Sequence, residues 1–279
     1  MKETEIEDQV AAFSIAWSGD KLLVGRARDV IAIDAAGKLT RIAATKGAVT
    51  TLAVTPTKTV LAATSGSILV IDHKGKTTQK TTLRGQDPSL AASPDGSHFV
   101  AFSDDEGGAG KVMQIGTAKA VHAYARRYGI SAWLDNRRFA VSHMPFRASV
   151  LELHDLDGSV APLGSLKSQV LALAAVKGRL LAATPKGVVE LDLAPRAAKA
   201  PTKVKVLLAR PARGLAGTND GVIAATDAGV YALALGKKPV HLSKTPAAKV
   251  AWRPGAIAFT QDVEDDEGDW SSRLFVLRG

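Results

Sequence analysis

The segment LLAATPKGVVELD, residues 180–192, contains two short β-prone runs separated by a turn that ends at Gly187. The same arrangement recurs at residues 60–72 and 222–233, again with a glycine just before the second run. In each copy the two runs begin eight residues apart. Two β-prone runs joined by a short glycine-containing turn are the signature of a β-hairpin. These segments therefore predict three equivalent hairpins.

Weaker copies of this hairpin extend the repeat over the whole chain. They lie at residues 22–34, 99–113, 139–151 and 257–277. A further apolar element precedes each hairpin, and these elements begin at Ile15, Leu52, Leu90, Ser131, Leu173, Leu215 and Val250, which are 35 to 42 residues apart. A period near 40 with short strands is typical of propeller blades, and no stretch sustains the apolar period of a helix. The pattern predicts an all-β protein, a single seven-bladed β-propeller of four-stranded antiparallel blades over residues 1–279.

The outer strand of each blade is predicted from the polar segments that follow the hairpins. Residues 38–42, 77–81 and 202–206 alternate or are rich in Lys and Thr, which discourages pairing with foreign sheets. The last hairpin runs directly to Gly279 and has no such segment after it. We therefore expect the N-terminal segment at Glu3–Glu7 to complete the last blade by pairing near Leu274–Leu277.

Short turn motifs carry a resemblance to known propellers. Ala92-Ser93-Pro94-Asp95-Gly96 resembles the SPDG turn of bacterial WD40-like and TolB-like propellers. Residues 33–38 and 71–76 are similar to the D-x-x-G-K turns of quinoprotein-like propellers. The chain departs from a regular WD40 repeat because no blade has its paired Gly-His and Trp-Asp dipeptides. The resemblance implies a seven-bladed propeller of the WD40-like and quinoprotein-like superfamily.

Composition excludes several classes of function. The chain of 279 residues has no cysteine, which removes disulfides, thiolate nucleophiles and Cys-based metal sites. No apolar run reaches the roughly 18 to 20 residues of a membrane span, and no apolar signal segment follows the acidic start. These features predict a soluble, cytoplasmic protein. The net charge of +9 is scattered along the chain, so nucleic-acid binding is a less favoured alternative.

The candidate binding surface comes from loop length. In a four-stranded blade the connections after the second and fourth strands open on one face of the ring, called here the loop face. Three connections on this face are enlarged, at residues 104–111, 143–149 and 261–273. Irregular loops on a rigid scaffold commonly carry recognition. The predicted partner-binding residues are Asp104, Asp105, Glu106, Arg126, Arg127, Tyr128, Phe146, Arg147, Glu264, Asp265, Asp266 and Trp270.

Two alternative interpretations concern single motifs. Asp262, Glu264 and Asp266 match the first alternate positions of a calcium loop, but Arg273 stands where the closing Glu is needed, which favours a solvated acidic loop. The other concerns three tryptophans at equivalent positions of the innermost strands, which could line a channel mouth. Packing between blades is favoured for them because innermost strands are buried on both faces. They are Trp17, Trp133 and Trp252.

No chemical signature points to an enzyme. The six histidines are dispersed, and the common hydrolase, nucleotide and dinucleotide motifs are absent. The sequence therefore predicts no cofactor, no metal and no catalytic residue. The leading hypothesis is a non-enzymatic scaffold that docks a protein or peptide, monomeric alone and part of a larger complex. The alternative is an enzyme or small-ligand sensor with its site at the central channel.

Overall fold

The computed structural model describes residues 1–6, 12–83, 88–103, 109–117, 119–124, 129–143, 148–264 and 270–279, with the backbone alone for Trp270. The described residues form 28 β-strands in seven four-stranded antiparallel sheets. The all-β, seven-bladed prediction is confirmed. No helix formed by the described residues is long and apolar enough to cross a membrane.

The strands follow one another from the centre of the ring outward in each blade. Blades 1 to 4 contain β2 (Ser14–Ser18), β3 (Lys21–Gly25), β4 (Asp29–Ile33), β5 (Leu39–Ala44); β6 (Val49–Val54), β7 (Val60–Thr64), β8 (Ser67–Ile71), β9 (Thr77–Thr82); β10 (Ser89–Ala92), β11 (His98–Phe102), β12 (Gly110–Gln114), β13 (Ala120–Tyr124); and β14 (Ile130–Trp133), β15 (Arg138–His143), β16 (Ser149–Asp155), β17 (Val160–Leu166).

Blades 5 and 6 contain β18 (Ala172–Val176), β19 (Arg179–Thr184), β20 (Gly187–Leu191), β21 (Val204–Leu208), and β22 (Ala212–Gly217), β23 (Gly221–Thr226), β24 (Gly229–Ala234), β25 (Val240–Ser243). Blade 7 contains β26 (Lys249–Arg253), β27 (Ala256–Glu264) and β28 (Trp270–Arg278), with β1 (Lys2–Ile6) as its outermost strand.

The two ends of the chain close the ring in blade 7, as the sequence predicted. β1 runs antiparallel to β28, with Glu3 opposite Leu277 and Ile6 opposite Leu274. The Glu3 carboxylate also accepts hydrogen bonds from Ser243 Oγ at 2.6 Å and Thr245 Oγ1 at 2.7 Å, beside the outer strand of blade 6. The N-terminal strand therefore ties the last blade to its neighbour as well as completing it.

The described core residues form seven apolar clusters, and each one is shared by two neighbouring blades. Successive side chains of a strand point to opposite sides of its sheet, so a blade contributes to the cluster on either side of it. In β19, for example, Leu181 packs toward blade 6 and Leu180 toward blade 4. The described residues thus bury apolar surface between blades, which favours their radial arrangement.

The short hairpin turns of blades 5 and 6 depend on glycine. Gly187 and Gly229 have φ angles of +143° and +117°. A Cβ on Gly187 would lie 2.0 Å from the carbonyl oxygen of Leu208, and one on Gly229 would lie 1.9 Å from that of Ser243. Because the backbone of the outer strand approaches so closely, only glycine fits at the start of β20 and β24.

The structure agrees with the interpretation that the inner-strand tryptophans pack between neighbouring blades. The Trp17 indole donates to the carbonyl oxygen of Ala251 in blade 7, at 3.3 Å, and the Trp133 indole donates to that of Ala91 in blade 3, at 2.9 Å. Trp252 packs against the apolar cluster between blades 6 and 7. These indoles therefore join neighbouring blades.

Candidate functional site

The strand ends that meet between blades 3 and 4 define the candidate site. Phe102 ends β11, Tyr124 ends β13 and His143 ends β15, all at the loop face. The ring centroid of Phe102 lies 5.6 Å from that of Tyr124, in a stacked arrangement, and 6.1 Å from that of His143, edge to face. Three chain segments of the loop face thus leave the sheets from one aromatic cluster.

The hairpin of β15 and β16 places three polar side chains on the side of blade 4 that faces blade 3. His143 pairs with Val150 in register, Val141 with Glu152, and Phe139 with His154. Because side chains alternate along a strand, His143, Glu152 and His154 share one side of the sheet. The Glu152 Oε2 atom lies 2.9 Å from His143 Nε2 and 3.0 Å from His154 Nε2. We call these three residues the His–Glu–His cluster.

His154 is the buried member of this cluster. Its side chain has no exposed surface, whereas those of His143 and Glu152 are 14% and 17% exposed. The Phe139 ring stacks on His154 at 5.2 Å, and the Tyr124 ring meets it edge on at 5.3 Å. The Tyr124 hydroxyl lies 3.3 Å from His154 Nδ1. The imidazole is therefore fixed by packing on its faces and by polar partners at both nitrogens.

The carboxylate defines the polar chemistry of the cluster. An ionised Glu152 only accepts hydrogen bonds, so each histidine that bonds to it donates from a protonated Nε2. Nδ1 of a neutral His154 then accepts from the Tyr124 hydroxyl. Imidazole nitrogens and a carboxylate oxygen gathered in this way can also hold a metal ion. Among the described residues this is the group whose potential ligand atoms, one from each of three residues, all lie within 4.8 Å of one another.

The fold brings together histidines that are dispersed in the sequence. His143 and His154 are eleven positions apart, and they meet because the hairpin turns between them. A sequence signal for the cluster does exist in Glu152-x-His154, which places two ligand types on one side of a strand. This signal can be interpreted only once the hairpin register is known, because the register pairs Glu152 with Val141 and thereby places Glu152 beside His143.

Most of the predicted partner-binding residues lie outside the described residues. These are Asp104, Asp105, Glu106, Arg126, Arg127, Tyr128, Phe146, Arg147, Asp265 and Asp266. The strand ends beside them are described, and three of these ends meet between blades 3 and 4. Trp270 begins β28 and pairs in register with Glu264 at the exposed end of β27.

The structure corrects the expectation of a continuous loop at residues 261–273. Residues 261–264 and 270–273 continue β27 and β28 as a paired hairpin arm, with Asp262 opposite Ser272. This extended geometry also differs from the loop that wraps a calcium ion. Asp262 Oδ1 accepts a hydrogen bond from Ser272 Oγ at 3.2 Å, and its Oδ2 lies 3.8 Å from Arg213. The arm belongs to blade 7, three blades away from blade 4 around the ring.

The turn that carries the WD40-like resemblance lies on the other face of blade 3. The Asp95 carboxylate accepts hydrogen bonds from Ser93 Oγ at 2.6 Å and from the backbone N–H and the hydroxyl of Ser97. The bond from Ser93 is the largest cause of a lowered pKa for Asp95. These bonds favour the ionised carboxylate and hold the turn between β10 and β11.

Comparison with known proteins reveals likeness in fold. No family model and no curated protein matches the sequence. Among solved structures, the C-terminal WD40 domain of Sif2 is 12% identical, with a TM-score of 0.67 over 99% of both chains. The β-propeller domain of Cps50 (Swd1) from Myceliophteria thermophila is 14% identical, with a TM-score of 0.72 over 100% of both chains. The WD40 repeats of RRP9 are 10% identical, with a TM-score of 0.75 over 99% of this chain and 97% of that one. At such identities the likeness establishes the fold alone, a seven-bladed β-propeller similar to these WD40 domains.

Proposed function

We propose that this chain is a non-enzymatic scaffold that docks a protein partner on its loop face, with the main contact at the junction of blades 3 and 4. One observation carries the proposal, namely that the chain segments at this junction leave the sheets from one aromatic cluster. Phe102, Tyr124 and His143 form that cluster. Segments that start from a rigid base present a surface at low entropic cost.

The residue types of these segments suit a protein interface. In the sequence, Arg127 is adjacent to Tyr128 and Arg147 to Phe146, and Arg126 adds a third positive charge. Arginine and aromatic side chains are enriched among the residues that dominate binding energy. The propeller itself supports the proposal because a closed ring of sheets gives its loops a stiff frame.

The hairpin arm of blade 7 supplies a second, separate contact in this proposal. Its described residues include exposed Asp262 and Glu264, in contrast to the arginines predicted near blades 3 and 4. A partner that spans both places must cross the ring, because the arm and the junction lie on distant blades. The two contacts can therefore be removed independently.

Affinity capture tests the proposal. Purified chain is immobilised and exposed to nuclease-treated lysate of its own host, captured proteins are identified by mass spectrometry, and the affinity of the purified partner is then measured. The triple variant R126A/R127A/R147A should lower the affinity for that partner by about 30-fold or more. This is the loss expected when dominant contacts are removed. The variant E264A/W270A should have a smaller effect.

A matched control removes equal charge from the opposite face. The variant K38A/K74A/K119A changes three exposed lysines in or beside turns between third and fourth strands, away from the loop face. It should bind the partner like the wild type. Equal weakening by both triple variants would show that the effect depends on net charge alone. Capture that occurs only in lysate without nuclease treatment would identify nucleic acid as the ligand. Either result would overturn the proposal.

The cytoplasmic location stays a prediction.

A further inference from the structure

We propose that His143, Glu152 and His154 form a binding site for one zinc ion. The three ligand atoms come from two adjacent strands and lie within 4.8 Å of one another. Tetrahedral zinc bonded at about 2.0 to 2.1 Å needs neighbouring ligand atoms roughly 3.3 Å apart. The Glu152 oxygen is already 2.9 and 3.0 Å from the two imidazole nitrogens. Small rotations of the partly exposed His143 and Glu152 side chains would open the space for the ion.

The type of ligand selects the class of metal. Calcium and magnesium prefer sites made of oxygen atoms alone. Imidazole nitrogens suit zinc, and two histidines with one carboxylate form an established set of zinc ligands. Three protein ligands leave one tetrahedral position for a water molecule or for a side chain of a bound partner.

The surroundings of His154 supply the support that a metal ligand needs. Zinc takes the Nε2 atom of a neutral imidazole, so the remaining proton of that ring moves to Nδ1. Nδ1–H of His154 can then donate to the Tyr124 hydroxyl oxygen, 3.3 Å away. A partner at the second ring nitrogen orients a ligating histidine and strengthens binding. Stacking of Phe139 on the same ring holds its plane.

Access to the site runs from its partly exposed side. His143 and Glu152 retain some exposed surface, whereas His154 is fully buried. The ion would enter past His143, at the end of β15, and reach His154 as its deepest ligand. Without metal, Glu152 bonds to both rings and keeps the ligand atoms together. This site goes beyond the proposed docking function and does not depend on it.

Metal titration tests the site on the full chain, purified without a histidine tag and stripped by a chelator. Calorimetry with zinc should give one equivalent bound with a Kd in the micromolar range or below. Cobalt(II), used as a coloured substitute, should give visible absorption of tetrahedral intensity. The variant H143A, which removes the most accessible histidine ligand, should weaken zinc binding by roughly 100-fold, and Y124F should weaken it by roughly 10-fold.

The control is H241A. His241 lies on the outer strand of blade 6 and is exposed, so its loss should leave zinc affinity unchanged. The proposal is overturned if the folded wild type binds no zinc, or if H143A and H241A weaken binding equally. If H143A does not fold, X-ray absorption of the wild-type zinc complex decides, because fewer than two imidazole ligands would contradict the site.

Discussion

The interface between blades 5 and 6 and the interface between blades 3 and 4 solve the same packing problem with different residues. Aliphatic side chains and Tyr231 fill the first, and its hairpins close in short turns at Gly187 and Gly229. Aromatic rings are prominent in the second, which also includes the His–Glu–His cluster beside enlarged connections. Where packing is the main requirement, the repeat stays regular in sequence. Where polar groups enter the interface, the sequence departs from the repeat.

Replacing Phe139 with alanine, at the interface between blades 3 and 4, should produce the largest loss of stability. Phe139 is fully buried and stacks on His154. Loss of a buried phenylalanine costs about 3 to 5 kcal/mol, so Tm should fall on the order of 10 °C in calorimetry. The matched variant F259A removes an equally buried ring that stacks on Phe275 in blade 7. Both variants should lose stability, but only F139A should also weaken zinc binding. Equal zinc affinity in the two variants would show that stacking of Phe139 on His154 does not support the zinc site.

Replacing Gly229 with alanine should damage a regular blade. The new Cβ would lie 1.9 Å from the Ser243 carbonyl oxygen, at a φ angle that alanine rarely adopts. We expect a loss of about 2 to 3 kcal/mol, measured by thermal and denaturant unfolding. The control G47A adds a Cβ with nothing within 4 Å and should change little. If G229A is as stable as G47A, the close approach of the outer strand does not require glycine at this position.

Replacing Tyr124 with phenylalanine should test the polar part of the unusual interface. The Tyr124 hydroxyl bonds to buried His154, so its removal should cost about 1 kcal/mol and lower Tm by a few degrees. Tyr231, in the regular interface, contacts His241 through the face of its ring, with centroids 4.3 Å apart. Y231F keeps that ring and should unfold close to the wild-type temperature. A smaller loss for Y124F than for Y231F would contradict the assigned role of the hydroxyl.

The smallest expected effect concerns two aspartates in turns on the other face. Hydrogen bonds from Ser93 and Ser97 lower the pKa of Asp95 in blade 3, whereas the ion pair with Lys177 lowers that of Asp220 in blade 6. A carboxyl whose pKa is lower in the folded state contributes stability above its unfolded pKa, near 4, and loses it as pH falls through the folded pKa. In D95N and in D220N, Tm should therefore fall less than in the wild type as the pH is lowered through the acid range. In 1 M salt only the D95N difference should persist, because salt screens exposed ion pairs.

The fold was predictable because each blade repeats a local signal. Hairpin spacing, β-prone runs and the missing last outer strand can all be read without knowing which strands meet in space. The ring closure by β1 followed from counting strands. The extent of the hairpin arm was not predictable, because residues 261–273 are mostly polar and give no apolar period where β27 and β28 continue.

The candidate site was predictable only in outline. Loop length identified the loop face, but it grouped blade 7 with blades 3 and 4, which lie far from it around the ring. The His–Glu–His cluster was missed because neither His143 nor His154 has another histidine at close spacing in the sequence.

The sequence by itself determined the number of blades, the position of each hairpin along the chain and the closing strand, because these depend on local periodicity. The tertiary structure alone decided that Tyr124 of one blade meets His154 of the next. It also decided which strand ends share a base at the loop face. Contacts between neighbouring blades depend on hairpin register and on how two sheets pack, and neither leaves a period in a single chain.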